Sequence, residues 1–132
     1  MPGKTQSAKL SKPKTWEHEL TVIGLRFRWT KENRAILAAA AAKGISGIRL
    51  EREPENAYDE NAVAVYLPSR LYEGKQLGYL PREVAEVLAP KLDAGVLAVV
   101  SAKLVYLDPA GQHPHNQGTL VVTFRDLPSK SS

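Results

Sequence analysis

Apolar residues recur along this chain at two spacings, one of about two residues and one of about 3.6, and the switches between them mark out its elements. From Glu17 to Trp29, Leu20 and Val22 share one parity and Ile23, Leu25 and Phe27 the other, which predicts a strand covered in part on both faces. Thr30 stands where an N-cap is needed for an alanine-rich helix over Lys31–Lys43, and Gly44 follows as its left-handed end. Strands over Ile45–Glu53 and Asn61–Leu67 flank Pro54–Glu60, a stretch rich in turn-forming residues, and together predict a wide-looped hairpin. Lys75–Leu80 is a further strand. Pro81 opens a second helix, on which Val84, Val87, Leu88 and Leu92 form the apolar stripe, Pro90 predicts a kink or split, and Gly95 the end. Val96–Leu107 and Thr119–Asp126 are the last strands, the second with Leu120, Val122 and Phe124 on one face, and a polar loop over Asp108–Gly118 joins them.

About six strands and two helices without regular alternation predict a mainly β (α+β) fold, a closed or nearly closed antiparallel barrel with helical additions. At 132 residues there is room for one domain. Its expected extent is 16–127, with a basic disordered tail over 1–15 and a Ser/Lys tail over 128–132. No internal repeat points to a solenoid.

Charge changes this picture little. The net charge of +4 is accounted for by Lys4, Lys9, Lys12 and Lys14, in a leader that carries no acid, so the domain itself is balanced. A balanced domain lacks the broad positive field that gathers phosphates, and affinity for nucleic acid would have to come from local pockets and stacking. The chain has no cysteine, which excludes a disulfide scaffold, a thiolate zinc site and a cysteine nucleophile, and fits a reducing cytoplasm. The N-terminal stretch has no apolar core, so neither a signal peptide nor a membrane span is expected, and the predicted location is cytoplasmic.

The most distinctive stretch runs from Leu50 through Arg52-Glu53-Pro54-Glu55-Asn56-Ala57-Tyr58-Asp59-Glu60-Asn61-Ala62 to Val65. With Val22-Ile23-Gly24-Leu25-Arg26-Phe27 upstream and Leu77-Gly78-Tyr79-Leu80-Pro81-Arg82-Glu83 downstream, it resembles the HIRAN family, whose members carry an REPxNxYDxNA block followed by a GYLPRE-like block. The likeness spans about Glu17 to Asp126. It implies an OB-like β-barrel, found fused to chromatin-remodeller-type helicases of replication-fork reversal and also alone in bacteria and phages. The implied activity is binding of the 3′-hydroxyl end of single-stranded DNA, in DNA repair or fork processing. Carried over by position, the implied DNA contacts are Arg26, Phe27, Asn56, Tyr58, Asp59, Tyr79, Arg82 and Phe124. Phe27 stands where the remodeller members have tyrosine, Tyr79 where they have histidine, Arg82 where they have lysine and Glu55 where they have asparagine. Glu55 thus adds a negative charge near the implied phosphate path, and the alanine-rich helix looks like an insertion.

The residue chemistry suits an end-binding pocket, which needs an acceptor for a terminal hydroxyl, flat surfaces for bases and donors for phosphates. The Asp59 carboxylate accepts but cannot donate, so it would favour a 3′-hydroxyl and repel a 3′-phosphate. Tyr58, Phe27, Tyr79 and Phe124 offer stacking faces, Arg26 and Arg82 offer planar forks, and Asn56 can meet a phosphate or a base edge. Spacing alone reads some of these otherwise. Asp59 and Asn61 suit turn caps, Phe27 and Phe124 lie on apolar strand faces as core residues do, and Arg52 and Glu53 suit structural pairs.

Two other function classes stay open on the residues. The acidic cluster Glu53, Glu55, Asp59 and Glu60, with His113 and His115, could serve a metal-dependent nuclease, although the cluster lacks the glycine and ligand spacing of a calcium loop. The alanine-rich helix could dock a helicase or nuclease, making the protein an adaptor. Neither a nucleophile–base arrangement nor a phosphate-cradling glycine loop is present, so the expectation is a binding module without catalysis, cofactor or metal. Its expected partners are single-stranded DNA with a free 3′ end and a catalytic protein.

Overall fold

The computed structural model describes residues 14–111 and 117–128, apart from the Arg26 side chain. Seven strands and two helices form around one apolar core: β1 (Thr15–Val22), α1 (Lys31–Ala42), β2 (Ile45–Ser46), β3 (Arg49–Arg52), β4 (Val63–Tyr66), β5 (Gln76–Tyr79), α2 (Arg82–Asp93), β6 (Leu97–Leu107) and β7 (Gly118–Asp126). Short 3-10 turns occupy Leu25–Phe27 and Tyr72–Gly74.

The strands make two antiparallel sheets, ordered β1-β7-β6-β2 and β3-β4-β5. Ile23 and Tyr79 exchange both backbone hydrogen bonds, at 2.9 and 3.0 Å, and so join the end of β1 to β5. At the other seam Ile48 N–H donates to the Ala102 carbonyl at 3.1 Å. Val22, Leu25, Leu37, Val65, Leu77 and Leu104 are among the side chains sealed between the sheets and α1. The mainly β, antiparallel architecture expected from the pattern is therefore present, as two sheets stitched at these seams.

Departures from the expected elements have local causes. The first strand stops at Val22 instead of reaching Trp29, because Gly24 adopts φ +88° and turns the chain into the 3-10 segment. Gly47, at φ +81°, breaks the expected strand over Ile45–Glu53 into β2 and β3, which belong to different sheets; this raises the strand count to seven. Pro90 neither splits α2 nor ends it. The carbonyl that loses its partner there belongs to Glu86, an exposed residue, so water can satisfy it. The buried stripe of α2 is also rotated: Ala85 and Ala89 are fully buried, Val84, Leu88 and Leu92 flank them, and Val87 is 58% exposed. Two alanines four residues apart let the helix approach closely, which larger side chains at those positions would prevent.

Other expectations hold. The Thr30 hydroxyl accepts from Asn33 N–H at 3.1 Å, capping α1. The β3–β4 hairpin carries the wide loop over residues 53–62. Arg52 and Asp93 tie that hairpin to α2 through two 2.9 Å contacts, with the carboxylate half exposed. This bond holds the Asp93 carboxyl below its ordinary value of 3.8 and raises the Arg52 pKa.

Two stability predictions follow from these ties. A Cβ at Gly78 would overlap the Ile23 carbonyl oxygen, so Gly78→Ala is expected to cost about 1–3 kcal/mol or more in denaturant unfolding, by forcing the seam apart. Because the folded pKa of Asp93 is depressed, its contribution is fully present above the unfolded value, near pH 4, and is lost as pH falls through the folded value. Thermal melts below about pH 4 should lose stability more steeply in the wild type than in Asp93→Asn.

Candidate functional site

Beside the Ile23–Tyr79 seam lies a hollow of about 430 Å³. Its apolar lining comes from Ile23, Ala57, Ala62 and Leu80, and its polar lining from Arg28, Asn56, Tyr58, Asp59, Tyr79 and Arg82. A second concavity, of about 420 Å³, lies against the same loop and shares Tyr58, Asp59 and Arg82.

The loop that shapes both is held from several sides. Asn56 Oδ1 accepts from the backbone N–H groups of Tyr58 and Asp59, at 2.8 and 3.0 Å, folding the chain into a side-chain-closed turn. Its amide nitrogen donates to Glu53 Oε1 at 3.0 Å, and the same carboxylate oxygen accepts from the Tyr79 hydroxyl at 2.8 Å. Asp59 Oδ1 accepts from Asn61 N–H at 2.9 Å. The Arg52 guanidinium, already bound to Asp93, also donates to the carbonyls of Ala62 at 2.6 Å and Glu60 at 3.0 Å. A loop satisfied in this way pays little further ordering entropy when a ligand arrives.

The rigid turn leaves Tyr58 90% exposed. Phe27 is 89% exposed, on the 3-10 turn between Ile23 and Arg28, both of which line the hollow. That turn is anchored by buried Gln117, whose Oε1 accepts from Leu25 N–H at 2.9 Å. Cations meet the same space. The Arg28 guanidinium lies over the Tyr79 ring, 5.2 Å from its centroid, and Arg82, at the start of α2, reaches the Tyr58 carbonyl at 3.5 Å.

The hollow thus gathers Asn56, Tyr58, Asp59, Tyr79 and Arg82 from two separate stretches of sequence, with Phe27 on a third, the adjoining turn. The Arg26 side chain lies outside the described residues, as do His113 and His115. Phe124 is not part of this site. It is 3% exposed, its ring centroid lies 5.9 Å from that of Trp16, and it lines a different groove, between α2 and β1–β7. Period-two alternation along β7 turns it inward with Leu120 and Val122, as the apolar pattern by itself indicated. Asn56, expected to face a phosphate or base, has both ends of its side chain engaged within the loop and therefore positions its neighbours. Asp59 both caps a turn and lines the hollow: its second carboxylate oxygen takes no hydrogen bond from the described residues.

Two residues of the site were not assigned to it from the sequence. Glu53, expected in a structural pair, is the acceptor that joins Asn56 to Tyr79. Arg28 was read as part of a straight strand, and only the turn at Gly24 brings it against Tyr79. The Arg-Phe-Arg spacing was its faint signal. Among the described residues, no group of three or more His, Cys, Asp or Glu is placed to hold a metal ion.

Comparison with known proteins bears on the fold and the family. A Fanconi-associated nuclease 1 homolog from Oryza sativa subsp. japonica is 42% identical over 76 residues, 57% of this chain, and the match spans only 7% of that relative's length. The crystal structure of the HIRAN domain of human HLTF superposes with a TM-score of 0.51 at 23% identity, covering 87% of this chain and 78% of the other, and shares the fold. The family model for the HIRAN domain matches residues 17–122, the stretch that contains both sheets' seams and every lining residue of the hollow, and the chain belongs to the HIRAN domain family.

Proposed function

We propose that the hollow binds the 3′-hydroxyl end of single-stranded DNA, in DNA repair or replication-fork processing. Membership of the HIRAN family supports nucleic-acid binding in general. The observation that carries the finer reading is a carboxylate oxygen on Asp59 that takes no donor among the described residues, in a hollow that also holds two arginines and an exposed tyrosine. A terminal hydroxyl would donate to that oxygen in a charge-assisted bond, whereas a terminal phosphate would meet it as a like charge.

In this reading the exposed rings of Tyr58 and Phe27 stack the last bases. Both rings lie almost wholly in solvent among the described residues, and every base offers a π-face, so sequence preference is weak. Asn56 and Glu53 hold the turn and do not touch DNA. The domain binds and does not cleave, and a helicase or nuclease acts on the end it holds. Such a partner accords with the rice relative, a protein named as a nuclease of which the matching segment is a small part.

The test is a fluorescence titration with matched single strands ending in a 3′-hydroxyl, in a 3′-phosphate, or with only a free 5′ end. The hydroxyl end is expected to bind about tenfold to a hundredfold more tightly than the phosphate end, the worth of a hydrogen bond to a charged group. Equal affinity for all three would remove the mechanism. Asp59→Ala should erase the preference, and so should Asp59→Asn, which keeps an oxygen to accept from Asn61 N–H but loses the charge. Tyr58→Ala should weaken both ends alike, by about 1–3 kcal/mol.

A further inference from the structure

We propose that Arg28 grips a backbone phosphate of the bound strand and that Tyr79 is the ring that positions it; this rests on the nucleic-acid reading of the same hollow. The guanidinium carbon lies 5.2 Å from the Tyr79 ring centroid. The ring is itself fixed, because its hydroxyl donates to Glu53 at 2.8 Å and its backbone is half of the seam with Ile23. A guanidinium carries five N–H donors in one plane. Among the described residues, none of those of Arg28 meets an acceptor, and its Nε is buried without a partner.

Other arginines are used differently. Arg34, Arg49, Arg52 and Arg70 each donate to carbonyl or carboxylate oxygens of the fold. Arg125 shares the unpartnered Nε of Arg28 but sits on β7, outside the hollow. Among the described residues Arg28 is thus the cation that is both withheld from the fold's own hydrogen bonding and turned toward the candidate site. Buried donors in folded proteins are completed by protein, water or ligand, and leaving one unmet is costly. A phosphate suits this donor set: its oxygens match the planar fork two at a time, and a guanidinium resting on an aromatic ring sheds its hydration readily.

The arrangement also divides the work of the hollow. With Arg28 over one face of Tyr79, that face is closed to a base, so base stacking falls to Tyr58 and Phe27 and Tyr79 serves the phosphate. Asp59 then faces the terminal hydroxyl, and Arg28 and Arg82 face the backbone that leads to it.

The experiment is a salt-dependent fluorescence titration of the full chain with a labelled single strand ending in a 3′-hydroxyl, for the wild type, Arg28→Ala, Arg28→Lys and Arg125→Ala, each first checked for a native thermal melt. Arg28→Ala is expected to bind about tenfold more weakly or worse and to flatten the slope of log affinity against log salt by about 0.7, the worth of one phosphate contact on a single strand. Arg28→Lys should keep the slope and recover only part of the affinity, since the ammonium lacks the fork. Arg125→Ala should match the wild type. An unchanged slope in Arg28→Ala, or an equal loss in Arg125→Ala, overturns the role of Arg28 while end discrimination by the wild type stands. A wild type that binds no single strand sinks the underlying reading and this inference together.

Discussion

The reciprocal pair of backbone hydrogen bonds between Ile23 and Tyr79 is the constraint on which the candidate site depends. It joins the strand that leads into the Arg28 turn to the strand that carries Tyr79, across two sheets that otherwise have separate ladders. Gly78 permits the approach, because any side chain there would occupy the space of the Ile23 carbonyl. Once the seam closes, Arg28 falls over Tyr79, and the Tyr79 hydroxyl reaches Glu53 at the base of the long hairpin loop. Three stretches far apart in sequence thereby share one wall.

The second requirement is rigidity. A ten-residue loop has many backbone groups to satisfy, and here side chains do much of that work: Asn56 and Asp59 accept from nearby N–H groups, and Arg52 donates to the carbonyls near the loop's far end. The ion pair to Asp93 fixes Arg52 in turn, so α2, which presents Arg82, is clamped to the same loop. Such a frame can hold a tyrosine out in solvent without collapse onto the core. The frame thus supplies the physical reason this ring stays exposed.

Charge is deployed locally. Beyond its lysine-bearing leader the chain is balanced, and several arginines serve the fold itself, so a long-range field plays little part. What distinguishes the hollow, among the described residues, is a pair of guanidinium groups with few protein acceptors beside a carboxylate with an oxygen that takes no donor. Opposite charges held apart by a fixed loop can address different atoms of one ligand, which a uniformly basic surface cannot do.

Much of this was legible in the residues. Period and capping determined both helices, the wide hairpin and the β-rich class, since each rests on local sterics and on apolar spacing. The two ordered motifs of the hairpin loop and of the strand before α2 determined the family, and turn chemistry made Asp59 a candidate to cap a turn, as its bond from Asn61 N–H does. The tertiary structure alone decided the rest. Glycines at 24 and 47 were free to continue a strand or to reverse it, and only packing against the other sheet selected the reversal, which moved Arg28 into the hollow and put β2 and β3 in different sheets. Phe124 carried a core pattern and a site pattern at once, and the pairing of β7 with β1 and β6 sent it inward. Asn56 became a scaffold because its partners, Glu53 and the N–H groups of Tyr58 and Asp59, lie within reach only when the loop is closed. Local propensity is written residue by residue, but which side chains keep an unmet donor or acceptor depends on every neighbour the fold brings near.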